Sequence, residues 1–201
     1  MKKNEFPILE YDFARTALLE ATSFIKPIEI PEHCVFCFFN DVIRKLDAEG
    51  KLAIITNLNS EMGLHPVYKL DLNGKSIAIF HPGTGAPMGA GFLEEVIALG
   101  CKKFIACGGA GVLEKDTTVG HIIVPVSAIR DEGTSYHYLE PSREVSASYE
   151  GIIAIEKILN KYKFNLEIPA IILFAVILIP NLVWAIIPPA FDPLRVESLT
   201  K

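Results

Sequence analysis

The chain lacks any concentration of positive charge. Among its 201 residues no basic block is longer than Lys2-Lys3 or Lys102-Lys103, and 24 acidic residues outnumber 19 basic ones, for a net charge of −5. Recognition of a nucleic-acid backbone needs a basic patch or stripe, so polynucleotides are not expected partners. The start, MKKNEFPILEYDF, has Glu5, Glu10 and Asp12 where a secretory signal would need an apolar run, and the body of the chain is expected in the cytoplasm. Cysteine is scarce, with 4 residues. Cys34-Val35-Phe36-Cys37 has a C-x-x-C spacing, but it sits in the apolar segment HCVFCFF, and no second close pair completes a zinc site. The thiols therefore read as buried small hydrophobes, and no metal is expected. Neither Lys-Ser nor Lys-Thr follows the glycines at 83, 85 and 89, so a phosphate-binding P-loop is excluded; their G-x-G-x-x-x-G spacing is one residue off the dinucleotide fingerprint. No internal repeat is evident.

What the chain does have is the stretch Lys75 to Gly111. Ile77 to Phe80 is a short apolar run of the kind a sheet buried on both faces requires. From Pro87 to Leu99, Met88, Phe92, Val96 and Leu99 recur at helical spacing, Glu94 and Glu95 take the other face, and Gly100 is a stop signal. Phe104 to Cys107 is the next strand. A strand, helix, strand crossover of this length makes the two strands parallel, and ligands on such sheets bind beyond the strand carboxyl ends. Gly83-Thr84-Gly85 and Gly108-Gly109-Ala110-Gly111 both fall there, and are expected to face one cleft. Glycines suit it because main-chain N–H groups can approach an anion or a sugar closely; tight turns alone are the alternative reading.

Around this stretch, Phe13 to Phe24 is a candidate helix and Lys26 to Pro31 a proline-bounded arm. Val35 to Phe39 reads as a strand, followed by a helix from an N-cap at Asp41 to about Glu49, closed by Gly50. Ala53 to Leu58 is a second apolar run. Val67 to Leu72 and Lys75 to Phe80 flank Asn73-Gly74, a strong hairpin signal. His121 to Ile129 is a strand bent at Pro125, and Gly151 to Lys163 a covering helix.

On the loop Arg130 to Arg143, Asp131, Glu132, Tyr136 and His137 alternate charge with aromatic rings, as a pocket rim would; a solvated loop or a subunit contact is the other reading. His81 and His121 read as structural histidines. The chain is expected to form one domain over 1–163 with a divergent hydrophobic tail over 164–201. From Ile168 to Phe191 no residue is charged, and 168–187 is long and apolar enough for a membrane span. A buried strand pair or a disrupted reading frame would account for the same run.

In combination, HPGTGAP, a helix ending ALG, KKFIACGGAG, and VGHIIVPVSAIRDEGTSYHY closely resemble the nucleoside phosphorylase family, which includes uridine phosphorylase, hexameric purine nucleoside phosphorylase and the methylthioadenosine/adenosylhomocysteine nucleosidases. The resemblance covers about Pro31 to Lys163. It implies an α/β fold with a mixed central sheet and helices on both faces, incomplete at the C-terminus. It further implies phosphorolytic cleavage of the N-glycosidic bond of a small-molecule nucleoside, phosphate as co-substrate without another cofactor, and a homo-oligomer. By the same resemblance Thr84 lines the ribose, Gly109 contacts phosphate, and Ala110 with Gly111 passes the base.

The sequence also departs from the family pattern. Glu20-Ala21-Thr22-Ser23 stands where an N-terminal arginine motif would reach phosphate; Ala106 replaces an arginine, and Gly109 a serine or threonine. Neither a Glu-Met-Glu-Ala type helix nor a late aspartate for protonating the base is found. Catalytic residues are therefore unassigned. Hydrolysis with water, or a non-catalytic remnant or membrane-tethered binding module, stand beside phosphorolysis as readings, and turnover is expected to be slow.

Overall fold

The computed structural model describes residues 3–14, 16–110, 115, 122–162 and 166–167. They fall into two compact units: one runs from Asp12 to Gly109, and the other joins the first eleven residues to the chain from Ala110 onward.

The first unit is built on a five-stranded sheet. Its elements in order are α1 (Ala21–Phe24), β1 (His33–Cys37), α2 (Asn40–Ala48), β2 (Leu52–Ser60), β3 (Gly63–Leu72), β4 (Lys75–Phe80), α3 (Ala86–Leu99) and β5 (Lys103–Cys107). The strand order is β2-β3-β4-β1-β5. β1 lies parallel to both β4 and β5, and the β2-β3-β4 meander is antiparallel. The expected crossover is present, with β1 inserted between its two strands. Asn73 (φ 51°) and Gly74 (φ 78°) form the tight turn of the β3–β4 hairpin, with Leu72 opposite Lys75; positive φ at both central positions is what a type I′ turn requires. Pro66 is accommodated in β3 because β4 pairs only with Tyr68 to Leu72, leaving one side of the strand open where proline has no N–H to give.

Strand alternation divides the core in two. On one face Phe36 packs edge-on against Phe80 (4.8 Å) and Phe104 (5.8 Å), and Phe80 meets Phe92 of α3 (6.5 Å). On the other, Cys37, Leu70 and Ile79 cluster with Ile43 of α2, flanked by Val35, Leu46, Ile77 and Cys107. Helices thus cover both faces, as a sheet with so apolar a centre demands. Phe36 and Phe80 are fully buried, each worth about 2–3 kcal/mol of transfer free energy.

Three expectations need correction. The helix over Phe13 to Phe24 shrinks to the single turn α1. Asp12 Oδ1 accepts from Ala14 N (2.9 Å) and Glu20 Oε1 from Ala17 N (2.5 Å), so side chains take up the amides that a helix would need. Asp41 is not the N-cap of α2: Phe39 holds that place without a side-chain bond, and Asp41 lies in the first turn, where its charge opposes the helix dipole favourably. Finally, α3 is enclosed nearly all round rather than two-sided. Ala86, Gly89, Ala90, Phe92, Leu93, Val96, Ala98 and Leu99 are buried, and Glu94 and Glu95 are half-buried. Burial, with the neighbouring Glu94 charge, raises the pKa of Glu95.

The second unit holds two small sheets. Pro125 separates β6 (Ile122–Ile123) from β7 (Ser127–Ile129), and the two go to different partners. β6 runs parallel to β9 (Leu166–Glu167); β7 pairs antiparallel with β8 (Glu144–Ser146). α4 (Tyr149–Lys161) is capped by Ser148, whose Oγ accepts from Gly151 N at 3.2 Å. Ser148→Ala is expected to cost about 1 kcal/mol, read as a lower urea midpoint. None of the α4 residues is fully buried. Gly111, Gly120, His121 and the apolar run 168–187 lie outside the described residues; among those described, no helix is long and apolar enough to cross a membrane.

Candidate active site

β1 and β4 are neighbours whose following helices leave to opposite faces of the sheet. Such a switch point, beyond the strand carboxyl ends, is where α/β sheets bind ligands. Three chain exits lie at this end: Phe38-Phe39 after β1, His81 to Gly85 after β4, and Gly108-Gly109 after β5. They are tied to one another. Phe38 N donates to Cys107 O at 2.9 Å, locking the first exit to the third. His81 Nδ1 accepts from Gly83 N at 3.1 Å, and its ring lies edge-on to Phe38 at 6.1 Å, linking the first exit to the second. Burial lowers the His81 pKa, opposed by a hydrogen bond to the Phe38 main chain. A neutral imidazole that accepts at Nδ1 carries its proton on Nε2. His81 therefore acts as a brace, in keeping with the structural reading of it.

The glycines here answer to distinct constraints. Gly83 (φ 78°) and Gly85 (φ 91°) adopt a backbone that L side chains avoid, and a Cβ on Gly83 would overlap Met88 Sδ. At Gly108 a Cβ would come within 3.0 Å of Phe38 Cβ. Gly109 is different, because its Cβ would meet only Phe39 Cε1, at an ordinary 3.7 Å. Thr84 stands exposed between Gly83 and Gly85, just before the first turn of α3, whose dipole favours an anion. The three exits thus offer a hydroxyl, main-chain amides and two aromatic rings, and among these described residues there is no lysine or arginine.

The loop from Arg130 to Arg143, in the other unit, is closed on itself. Arg130 is 4% exposed. Its Nε donates to Ser135 Oγ (2.9 Å), Nη1 to Glu140 O (2.6 Å) and Ser142 Oγ (2.7 Å), and Nη2 to Leu139 O (3.0 Å). The guanidinium also lies 4.3 Å from the centre of the Tyr136 ring. Glu132 accepts from Ser135 N (3.0 Å) and from Ser135 Oγ, holding the 3₁₀ turn Thr134–His137. Tyr136 Oη donates to Arg130 O at 3.2 Å. Among the four rim candidates, Glu132 and Tyr136 thus have internal partners, whereas Asp131 and His137 are exposed.

Thr84 and Gly109 share the carboxyl end of the five-stranded sheet. Ala110 begins the second unit, and Gly111 lies outside the described residues. Sequence reasoning missed Phe38 and Phe39 as the rings beneath Gly108 and Gly109; the signal was available, since both follow directly on an apolar strand. It also passed over Arg130, which looked like the first residue of a polar loop and is the hub of one.

The parallel β4-β1-β5 core, the glycine exits at its carboxyl end and the helices on both faces define an α/β protein of the phosphorylase type. A profile of the phosphorylase superfamily matches residues 35–170, and the chain belongs to that superfamily. It is similar to a guanosine phosphorylase of Halorubrum lacusprofundi, 32% identical over 94 residues, which make up 47% of this chain and 39% of the relative. A uridine phosphorylase of Thermococcus kodakarensis is 26% identical over 133 residues (62% of this chain, 48% of the relative). One from Escherichia coli is 24% identical over 112 residues (54% and 44%). The chain thus matches less than half the length of each of these relatives.

Proposed function

We propose that the chain binds a nucleoside and an oxyanion at the carboxyl ends of β4, β1 and β5, and that its reaction class is phosphorolytic cleavage of the N-glycosidic bond. In this reading Thr84 lies at the ribose, Gly109 at the phosphate, and Ala110 with Gly111 along the base. The observation that carries it is the trio of interlocked exits, in which Gly83 and Gly108 allow Met88 and Phe38 to pack against the main chain while Gly109, touching only Phe39, keeps its main chain open to a ligand. The names of the relatives, guanosine and uridine phosphorylases, support nucleosides as the substrate class. Bond cleavage requires groups that interact more strongly as positive charge develops on the sugar. At Ala106 and Gly109 only main-chain donors are available to an anion, so the phosphate contribution is small here. This also favours water as a competing nucleophile.

Calorimetric titration with uridine, guanosine and inosine, combined with a base-release assay with and without phosphate, tests the reading. Nucleoside binding is expected, with turnover below about 1 per second and less than about tenfold stimulation by phosphate, or 1.4 kcal/mol. Gly109→Thr fits the open space at that position and is expected to raise the phosphate effect several-fold. No binding of any nucleoside would overturn the site; base release unchanged by phosphate would overturn phosphorolysis in favour of hydrolysis, and stimulation well above about tenfold would overturn the weakened anion contact.

A further inference from the structure

The four cysteines divide into two pairs of opposite character. Odd spacing in a strand puts Cys34 and Cys37 on opposite faces of the sheet, so the C-x-x-C cannot pair with itself. Cys34 and Cys101 are 2% and 0% exposed, and Cys101 Sγ donates to Pro31 O at 3.4 Å. They are sealed structural thiols. Cys37 and Cys107 are placed otherwise: they stand directly opposite each other as the last residues of adjoining parallel strands, on the face that α2 covers. Adjacent strands are about 4.8 Å apart, within the Cα separation of about 4.4–6.8 Å that a disulfide spans. Both are strand-end positions, where the backbone can yield by the small amount needed to bring the Cβ atoms together. Cys37 is buried, while Cys107 is only half-buried and opens the pair to small solutes.

We infer that Cys37 and Cys107 form a redox modification site, at which a hydroperoxide converts the two thiols to a disulfide joining the ends of β1 and β5. The Cys37 thiolate attacks a peroxide oxygen and the O–O bond breaks. This gives a sulfenic acid on Cys37 and a hydroxide that takes up a proton as water, or an alcohol from an organic peroxide. Cys107 Sγ then attacks Cys37 Sγ, the S–O bond breaks, and the departing hydroxide leaves as water with the Cys107 proton. Two thiols lose two electrons and the peroxide gains them; a dithiol reductant reverses the step.

Polarity within the pair fits these roles. The hydrogen bond from Cys107 holds the Cys37 thiol down to about 7, against the opposing effect of burial, while the same bond and burial push Cys107 up. One sulfur is the attacking thiolate and the other remains a thiol until the second step. The new bond would lie directly before Phe38-Phe39 and Gly108-Gly109, fixing those two exits together.

The test uses the full chain and hydrogen peroxide. Titratable thiols are expected to fall from 4 to 2, with an intact-mass loss of about 2 Da and a non-reducing peptide map joining Cys37 to Cys107. Cys107→Ser is expected to stop at an oxidised Cys37 without the mass loss. Cys34→Ser is expected to leave the reaction unchanged. Should serine at 37 or 107 disturb folding, alanine at the same position gives the same readout. The oxidation rate is expected to rise about tenfold from pH 6 to pH 8 and then level off, whereas an ordinary thiol would rise nearly a hundredfold and keep climbing. Four thiols surviving excess peroxide, a Cys34–Cys101 link, or a rate still rising about threefold between about pH 8 and pH 9, as an ordinary thiol's would, would overturn the inference. None of these readouts depends on nucleoside binding or turnover.

Discussion

Replacing Arg130 with methionine is expected to cost about 3–5 kcal/mol of stability in the unit that contains it, the range for breaking a buried charged network by removing one partner. Methionine approximates the length of the aliphatic stem, so the loss reflects the guanidinium rather than a cavity. Without it, the carbonyls of Leu139 and Glu140 and the hydroxyl of Ser142 lose their donor, and the attraction between the guanidinium and Glu132 is lost. Arg130→Lys is expected to recover less than half of the loss, because one ammonium cannot occupy the three directions of the fork. Urea melts give the energy, and amide exchange over residues 130–143 shows where it is lost. A cost below about 1 kcal/mol, the scale of an exposed pair, would show that the loop is held by other contacts.

The second large effect is expected at Gly83. Alanine there must adopt φ near 78° and share space with Met88 Sδ and Cγ. The backbone contributes about 1–2 kcal/mol and the overpacking about 1–3 kcal/mol. Shortening the obstructing side chain separates the two. In a Met88→Ala background, Gly83→Ala is expected to cost only the backbone share of about 1–2 kcal/mol, so the double-mutant cycle has a favourable coupling. Equal costs in both backgrounds would show that Met88 moves aside freely. Nucleoside affinity measured on the same variants is expected to follow the displacement of Thr84, the next residue in the loop.

The sheet was legible because its signals were local. A four-residue apolar run, an Asn-Gly turn and a glycine-terminated helix each specify their own geometry, and β4, α3 and β5 follow from them. The position of β1 between β4 and β5 was not legible, because strand order is a long-range property. Nor was the failure of the Phe13 to Phe24 helix, where apolar spacing favoured the element and Asp12 and Glu20 side chains bonded the competing backbone. At the candidate site, Thr84 and Gly109 could be placed from strand ends alone. The internal bonding of Glu132 and Tyr136 could not, since it depends on a guanidinium whose burial the polar composition of the loop conceals.

The pairing of β1 with a strand far along the chain also sets an order of events. His33 lies opposite Lys103, whereas the β2-β3-β4 meander closes over neighbouring residues, and short-range contacts form first. At synthesis rates of about 5–20 residues per second, the central strand emerges roughly 4 to 14 seconds before its last neighbour. For that interval the segment HCVFCFF has no partner on one edge and no helix α3 above it. The nascent chain therefore presents its most apolar strand to chaperones and to other copies of itself, and slower translation between β1 and β5 would lengthen that exposure.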